Sequence, residues 1–362
     1  MPVTSPVQLP LTNPPRSVCV LRLSAIGDTC HTLTVVRRLQ AAWPDTRITW
    51  IIGKTEAALL ADINGVEFIT FDKRSGLSGM RELGRKLADR QFDVLLHMQA
   101  ALRASILSLF IPARLRLGFD KNRARDFQWL FTNARITSHP RQHVLEGLQG
   151  FADALGVPET ALCWDIPVPE ATTRFAQSCI DNKPTLLISP CSSQRARNFR
   201  NWPAQRYAQI VDYAATHYNM QTLLTGGPSA LEKEYGERIT QLATHKPVNL
   251  IGKTSLKELF SLIKHSNVIL CPDSGPAHMA TAAGTPVIGL YATSNPLRTG
   301  PYCSQQWTIN AYPQALEAEG RSVNQVSWGM RVRKPMAMEI ITVDQVTAKL
   351  DTLVATQKGN DS

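Results

Sequence analysis

Two blocks of alternating short β-rich runs and longer amphipathic runs, with a proline-marked break between them, constrain this chain more than any single motif does. In the first block residues 18–23, 48–52, 67–71, 93–97 and 115–119 are short runs of aliphatic, β-branched and aromatic residues. Between them, residues 32–42, 56–63, 77–90 and 102–110 carry apolar side chains at helical spacing. Strand, helix, strand repeated in this order predicts a mostly parallel sheet with helices on both faces. Residues 163–184 break the pattern with Pro167, Pro169 and Pro184. The alternation then resumes, with strands expected at 185–189, 221–225, 248–251, 268–271 and 287–291 and helices at 204–218, 230–243, 255–265 and 276–283. The fold class is therefore α/β: two Rossmann-like, doubly wound domains in series, with ligands expected beyond the carboxyl ends of the strands, in the cleft between the halves.

The expected organisation is a flexible arm at 1–16, a first domain at 17–165, a linker at 166–184, a second domain at 185–340, and a C-terminal helix and tail at 341–362 that pack back on the first domain. A length of 362 residues is ample for two domains with proper cores. The arm has Pro at 2, 6, 10, 14 and 15 and no long apolar core, which is unlike a secretory signal. No run approaches the ~18 apolar residues of a membrane span. Seven cysteines, an odd number with no C-x-x-C pair and no zinc-like spacing, point to free thiols in a reducing cytoplasm.

The formal net charge is +10, and it is concentrated. Between residues 103 and 141 eight cations (Arg103, Arg114, Arg116, Lys121, Arg123, Arg125, Arg135, Arg141) face two acids, Asp120 and Asp126. Such a segment suits an anionic partner, although charge runs are commonly no more than a solvated face. Nucleic acid is disfavoured as that partner, because no RNP motif, helix-turn-helix signal or aromatic-interleaved basic stripe is present.

Two turns carry chemistry. The first strand ends in Ser24-Ala-Ile-Gly-Asp28-Thr-Cys-His31-Thr32, where a dinucleotide enzyme would have G-x-G-x-x-G; the single Gly27 disfavours a nicotinamide dehydrogenase. Asp28 here is either a helix N-cap, a role Thr29 could also fill, or a carboxylate placed to take a proton from a hydroxyl. In the second domain Asp273-Ser-Gly-Pro-Ala-His278 lies between an apolar run and the small-residue stretch 279–284. A polar turn opening a helix offers free N–H groups and the positive end of a dipole to a phosphate, though an ordinary strand-to-helix turn has the same look.

Ser24-x-x-Gly-Asp-x-x-His-Thr-Leu33 together with Pro272-Asp-Ser-Gly-Pro-x-His278, about 245 residues apart, resembles glycosyltransferase family 9, the ADP-heptose:lipopolysaccharide heptosyltransferases. The resemblance spans essentially the whole chain after the arm. It implies a GT-B fold, metal-independent inverting transfer without a cofactor, a donor site in the C-terminal domain and an acceptor site in the N-terminal one. It makes Asp28 the general base. On the donor side it implies Asp273, Ser274, Gly275 and His278 around heptose and diphosphate, Ser192 in the hydroxyl-bearing loop beside the phosphates, and Arg200 or its neighbour Arg197 as the diphosphate cation. Arg200 stands where many members have Lys, and a surface cation ahead of a helix is the plainer reading. Thr225, Thr254 and Glu232 would line the adenosine, positions that a Gly-Gly turn and a helix cap explain nearly as well. On the acceptor side it implies Ser24, Gln99, Arg103, Arg123, Arg125 and His143 against Kdo and lipid A, with His143 alternatively a half-buried helix residue.

The wording of the first motif and the basic segment are most like the transferases that add the first heptose to Kdo-lipid A, with the Kdo phosphorylated as a variant. A second-heptose or later core transferase is the alternative, and a non-catalytic sugar-nucleotide binder a more distant one. ADP-heptose, Kdo-lipid A and the cytoplasmic face of the inner membrane are then the expected partners, with the protein peripheral on that face.

Overall fold

The computed structural model describes residues 8–192 and 198–360, so that part of the expected arm and Arg197 lie outside the described residues. The chain divides into two compact units, Met1–Pro167 and Val168–Ser362. The first runs β1 (Ser17–Leu21), α1 (Ile26–Ala42), β2 (Arg47–Gly53), α2 (Lys54–Leu60), β3 (Val66–Phe71), α3 (Gly76–Lys86), β4 (Phe92–His97), α4 (Leu102–Ser108), β5 (Ala113–Gly118), β6 (Ala134–Arg135) and α5 (Val144–Leu155). The second runs α6 (Glu170–Cys179), β7 (Thr185–Ile188), α7 (Ala204–Tyr218), β8 (Gln221–Leu224), α8 (Ala230–Leu242), β9 (Val248–Asn249), α9 (Leu256–His265), β10 (Val268–Pro272), α10 (Gly275–Ala283), β11 (Val287–Tyr291), α11 (Pro296–Thr299), β12 (Ile309–Asn310), α12 (Tyr312–Glu317) and α13 (Val343–Asn360).

Each unit holds one six-stranded parallel sheet, ordered β3-β2-β1-β4-β5-β6 in the first and β12-β11-β10-β7-β8-β9 in the second. Numbered from its own first strand, the second sheet has the same 3-2-1-4-5-6 order as the first. Every residue of β1 and of β10 is buried, as expected where helices cover both faces of a parallel sheet and the strands read as unbroken apolar runs. The order reverses between β1 and β4 and between β7 and β10. Loops leaving the carboxyl ends of these paired strands diverge to opposite faces and leave a crevice, the position at which doubly wound sheets bind ligands.

Four further features bear on the expected organisation. The last helix is part of the second unit's core: Val346, Leu350 and Leu353 form a stripe at helical spacing that is buried with Trp202, Tyr207 and Val211. The Asp351 carboxylate on the same helix accepts from Tyr213 Oη at 3.0 Å and Tyr218 Oη at 2.6 Å, both on α7. The expected linker contains α6, whose Ala176 is buried and which packs on α9. The arm is tied down from Leu11 onward, through Leu11 N to Leu155 O (3.1 Å), Thr46 Oγ1 to Pro15 O (2.6 Å) and Arg16 N to Asp93 Oδ2 (2.9 Å). The thiols divide: Cys19, Cys30, Cys191 and Cys271 are buried, whereas Cys163 and Cys303 are exposed.

Candidate active site

In the first unit the turn after β1 is built on Arg22. This side chain leaves the strand into a buried position, pairs with the Asp28 carboxylate and donates to Met98 O beyond β4. Asp28 is not the N-cap of α1. Ala25 is, and Asp28 sits three residues on, its Oδ2 accepting from Ala25 N at 3.3 Å. Gln99 locks the neighbouring turn: its Oε1 accepts from Leu23 N at 2.7 Å and its Nε2 donates to Ser24 Oγ at 3.4 Å. Ser24, Asp28 and Gln99 therefore meet at the β1/β4 switch point, and the Asp28 side chain remains 35% exposed. A carboxylate held from two sides with one face open to solvent can accept a proton from an incoming hydroxyl.

The basic segment does not form one patch. Arg116 turns inward and donates to Phe131 O, Ile111 O and Ser108 O at 2.9, 2.9 and 2.6 Å, so it ties loops together. Burial lowers its pKa. Arg123 pairs with Asp120 at 2.6 Å and donates to Gln142 Oε1 at 2.6 Å. Gly147, in the first turn of α5, is needed beneath it, since a Cβ there would lie 2.1 Å from Arg123 Nη1. His143 is the N-cap of α5: Nδ1 accepts from Leu145 N at 3.1 Å, Glu146 Oε2 accepts from His143 N at 2.9 Å, and the ring meets His31 edge-on at 5.6 Å. Arg103 is exposed and donates to Lys73 O at 2.7 Å, and Arg125 is exposed on the following loop. Thus Arg123 and His143 are brought together at the head of α5, while Arg103 and Arg125 lie elsewhere on the unit. Buried at the end of β4, His97 is bonded to Ser105 Oγ at 3.1 Å; desolvation, with a smaller contribution from Arg116, lowers its pKa to about 3.

In the second unit the corresponding switch point gathers the turn after β10 and the loop after β7. Asp273 is 5% exposed; its Oδ2 lies 3.2 Å from Arg200 Nη1 and accepts from Ser294 Oγ at 2.9 Å. Arg200 also donates to Asp273 O at 2.9 Å and, through Nε, to Asn198 Oδ1 at 2.7 Å. Asn198 Nδ2 donates to Ser192 Oγ at 2.7 Å, and Asn201 Oδ1 accepts from Ser192 N at 2.9 Å. Ser192, Arg200 and Asp273 are thereby joined in one network, and Arg200 is a nearly buried side chain and not a surface cation. Ser274 is the N-cap of α10 by position, but its hydroxyl turns back to Pro272 O at 3.0 Å. Gly275 and Pro276 open the helix and His278 follows, partly buried, on its first turn.

The remaining donor-side residues are less directly presented. Thr225 is fully buried, with its hydroxyl 3.5 Å from Ile188 O. Glu232 closes the turn after β8 from beneath, accepting from Gly227 N at 2.8 Å and Ser229 Oγ at 2.6 Å. Thr254 sits partly buried just before the Ser255 cap of α9. Sequence reasoning missed Arg22, Asn198 and Ser294. Only Arg22 carried a signal: a cation inside an apolar strand run needs a buried partner, and the nearest following acid is Asp28.

Two parallel six-stranded sheets in series, with polar turns at both switch points, make the GT-B fold, and solved structures of that fold superpose on this chain. A family 9 glycosyl transferase from Veillonella parvula does so with a TM-score of 0.77 at 22% identity, covering 94% of this chain and 97% of that one. The ADP-heptose heptosyltransferase II of Escherichia coli gives 0.72 at 21% identity, covering 94% and 99%. The chain belongs to glycosyltransferase family 9, the heptosyltransferase family, whose model matches residues 80–325. It is 42% identical over 344 residues to the lipopolysaccharide core heptosyltransferase OpsX of Haemophilus influenzae, covering 94% of this chain and 98% of the relative.

Proposed function

We propose that this protein is a lipopolysaccharide core heptosyltransferase that moves L-glycero-D-manno-heptose from ADP-heptose to a Kdo hydroxyl of Kdo-lipid A, with inversion at the anomeric carbon. The observation that carries the reading is the partly exposed Asp28 carboxylate, held by Arg22 and Ala25 N at the end of β1. In this reading the acceptor hydroxyl gives its proton to Asp28 as its oxygen attacks the anomeric carbon from the face opposite the ADP. The bond from that carbon to the diphosphate breaks and ADP leaves with the electron pair.

Two features support a transfer that needs no metal: Arg200 at the Asp273 turn, and the α10 N-terminus, where a helix dipole and N–H groups favour a departing diphosphate. Asp273 would face the sugar. Gln99 and Ser24 border the acceptor side, with Arg123 and His143 at the head of α5 and Arg103 and Arg125 as outlying contacts to the acidic sugar-lipid. Glu232, Thr225 and Thr254 stand nearest the adenosine, Glu232 through the turn it supports. The protein works at the cytoplasmic face of the inner membrane, where such an acceptor is embedded.

The test is transfer from ADP-heptose to Kdo-lipid A and, separately, to an acceptor that already carries one heptose, read by mass spectrometry. Product from the first acceptor alone establishes a first-heptose transferase. Product from the second alone assigns the later step, and product from neither refutes the reading.

A further inference from the structure

Six of the ten large hydrophobic side chains that stand exposed among the described residues fall between positions 77 and 130 of the first unit. Helix α4, which ends at Leu109, packs on the helical turn that carries Trp129 and Leu130. Along α3, Leu77, Arg81 and Arg85 follow at four-residue intervals, and Gly84 lies against Phe110, whose ring a Cβ would meet at 3.0 Å. An open groove of about 750 Å³ runs here, lined by Arg81, Arg85, Leu109, Phe110 and Pro112 among others. The end of α4 continues this face into the single helical turn at Gln128–Phe131, because the Arg116 guanidinium binds Ser108 O, Ile111 O and Phe131 O at once.

That turn is held so that its apolar side chains stay in water. Gln128 is 1% exposed; its Nε2 donates to His97 O at 2.9 Å and its Oε1 accepts from Phe119 N at 3.2 Å. Asp126 Oδ2 accepts from Leu102 N at 3.1 Å. Asp126 and Phe127 both take left-handed backbone conformations, φ 51° and 57°, which non-glycine residues adopt only under constraint. A buried glutamine and two strained residues thus leave Phe127, Trp129 and Leu130 exposed by 66%, 50% and 62%. Arg81 and Arg85 are exposed and line the groove with Leu109 and Phe110, and Arg125 is exposed two residues before Phe127. Exposed aromatic and aliphatic side chains on a face that also carries exposed arginines match the depth profile of a lipid interface with anionic headgroups.

We propose that this face of the first unit docks on an anionic bilayer surface, with Phe127, Trp129 and Leu130 entering the headgroup–acyl boundary and Arg81 and Arg85 meeting lipid phosphates. The inference rests on the proposed acceptor being lipid-linked. Gln128 is anchored at the carboxyl end of β4, two residues from Gln99, so docking here brings a membrane-embedded acceptor to the acceptor-side residues.

Cosedimentation of the full chain with vesicles of phosphatidylcholine alone, or mixed with phosphatidylglycerol, tests it. The wild type is expected to bind only the mixed vesicles. A Phe127→Ser, Trp129→Ser, Leu130→Ser variant and an Arg81→Glu, Arg85→Glu variant should each lose about tenfold or more of that partitioning, while Leu242→Ser, an exposed leucine of the second unit, should not. Wild type that binds no vesicle, binding indifferent to phosphatidylglycerol, or both surface variants partitioning as wild type overturns the proposal. Transfer to a water-soluble, delipidated Kdo acceptor separates the two readings. The surface variants should retain it, and a wild type unable to transfer to any acceptor refutes the heptosyltransferase reading while the vesicle data still decide the surface.

Discussion

At the residue scale the site depends on two charged pairs that play different parts. Arg22 is the buried member of its pair and Asp28 the exposed one, so the arginine fixes where the carboxylate points. Arg22→Met should lower turnover by roughly 10²-fold, the scale of a misplaced catalytic group, with ADP-heptose affinity unchanged; steady-state rates beside calorimetric donor binding read this, and unaltered turnover rules out the positioning role. Arg200 and Asp273 are both buried, and removing one partner of such a pair strands the other. Arg200→Ala should therefore cost about 3–5 kcal/mol of stability as well as ADP affinity, measured by urea denaturation and calorimetry, whereas a surface cation would leave stability untouched. His97 gives a pH signature. Its folded pKa of about 3 lies below the ordinary histidine value of 6.5, so the stability it confers is complete above pH 6.5 and is lost as the pH falls toward 3. Between pH 7 and 4.5 the wild type should lose stability at up to about 1.4 kcal/mol per pH unit more than His97→Asn; equal losses contradict the account. Asp28 and Asp273 were legible in sequence because each sits in a short polar turn between an apolar run and a helical one. Asn198 and Ser294 were not, since their partners are set by which strand lies beside which.

At the scale of elements, both sheets and most of their helices could be read from the sequence because buried parallel strands are apolar throughout and their crossover helices are amphipathic. The boundaries of β11 at Val287–Tyr291 and α7 at Ala204–Tyr218 coincide with the expected runs. The pairs Ala134–Arg135 and Ile309–Asn310 could not be read, since a two-residue strand has no period. Helix α6 hid in a segment whose prolines suggested a linker; Pro169 instead stands at its N-cap. The apolar stripe of α13 declares in sequence that the helix is buried, and the fold sets that stripe against α7 in the second unit's core. Leu350→Ala on that helix should destabilise the protein by about 2–5 kcal/mol in chemical denaturation, and a change under about 0.5 kcal/mol would mean that the stripe is not a core contact.

For the whole molecule, the 42% identity to a curated core heptosyltransferase and the family match set the chemistry to examine, while the turns after β1 and β10 hold the residues proposed to perform it. The +10 charge looks like one anion-binding surface in sequence, but the fold distributes it: Arg116 braces loops, Arg123 buttresses α5, and Arg103 and Arg125 stand exposed. The most direct test of the account is the rate of heptose transfer from ADP-heptose to Kdo-lipid A by the wild type and by Asp28→Asn, with ADP-heptose affinity measured on both. The account predicts product from the wild type and a turnover lowered ~10²–10⁴-fold in the variant, with donor affinity unchanged. Near-wild-type turnover by Asp28→Asn would contradict it.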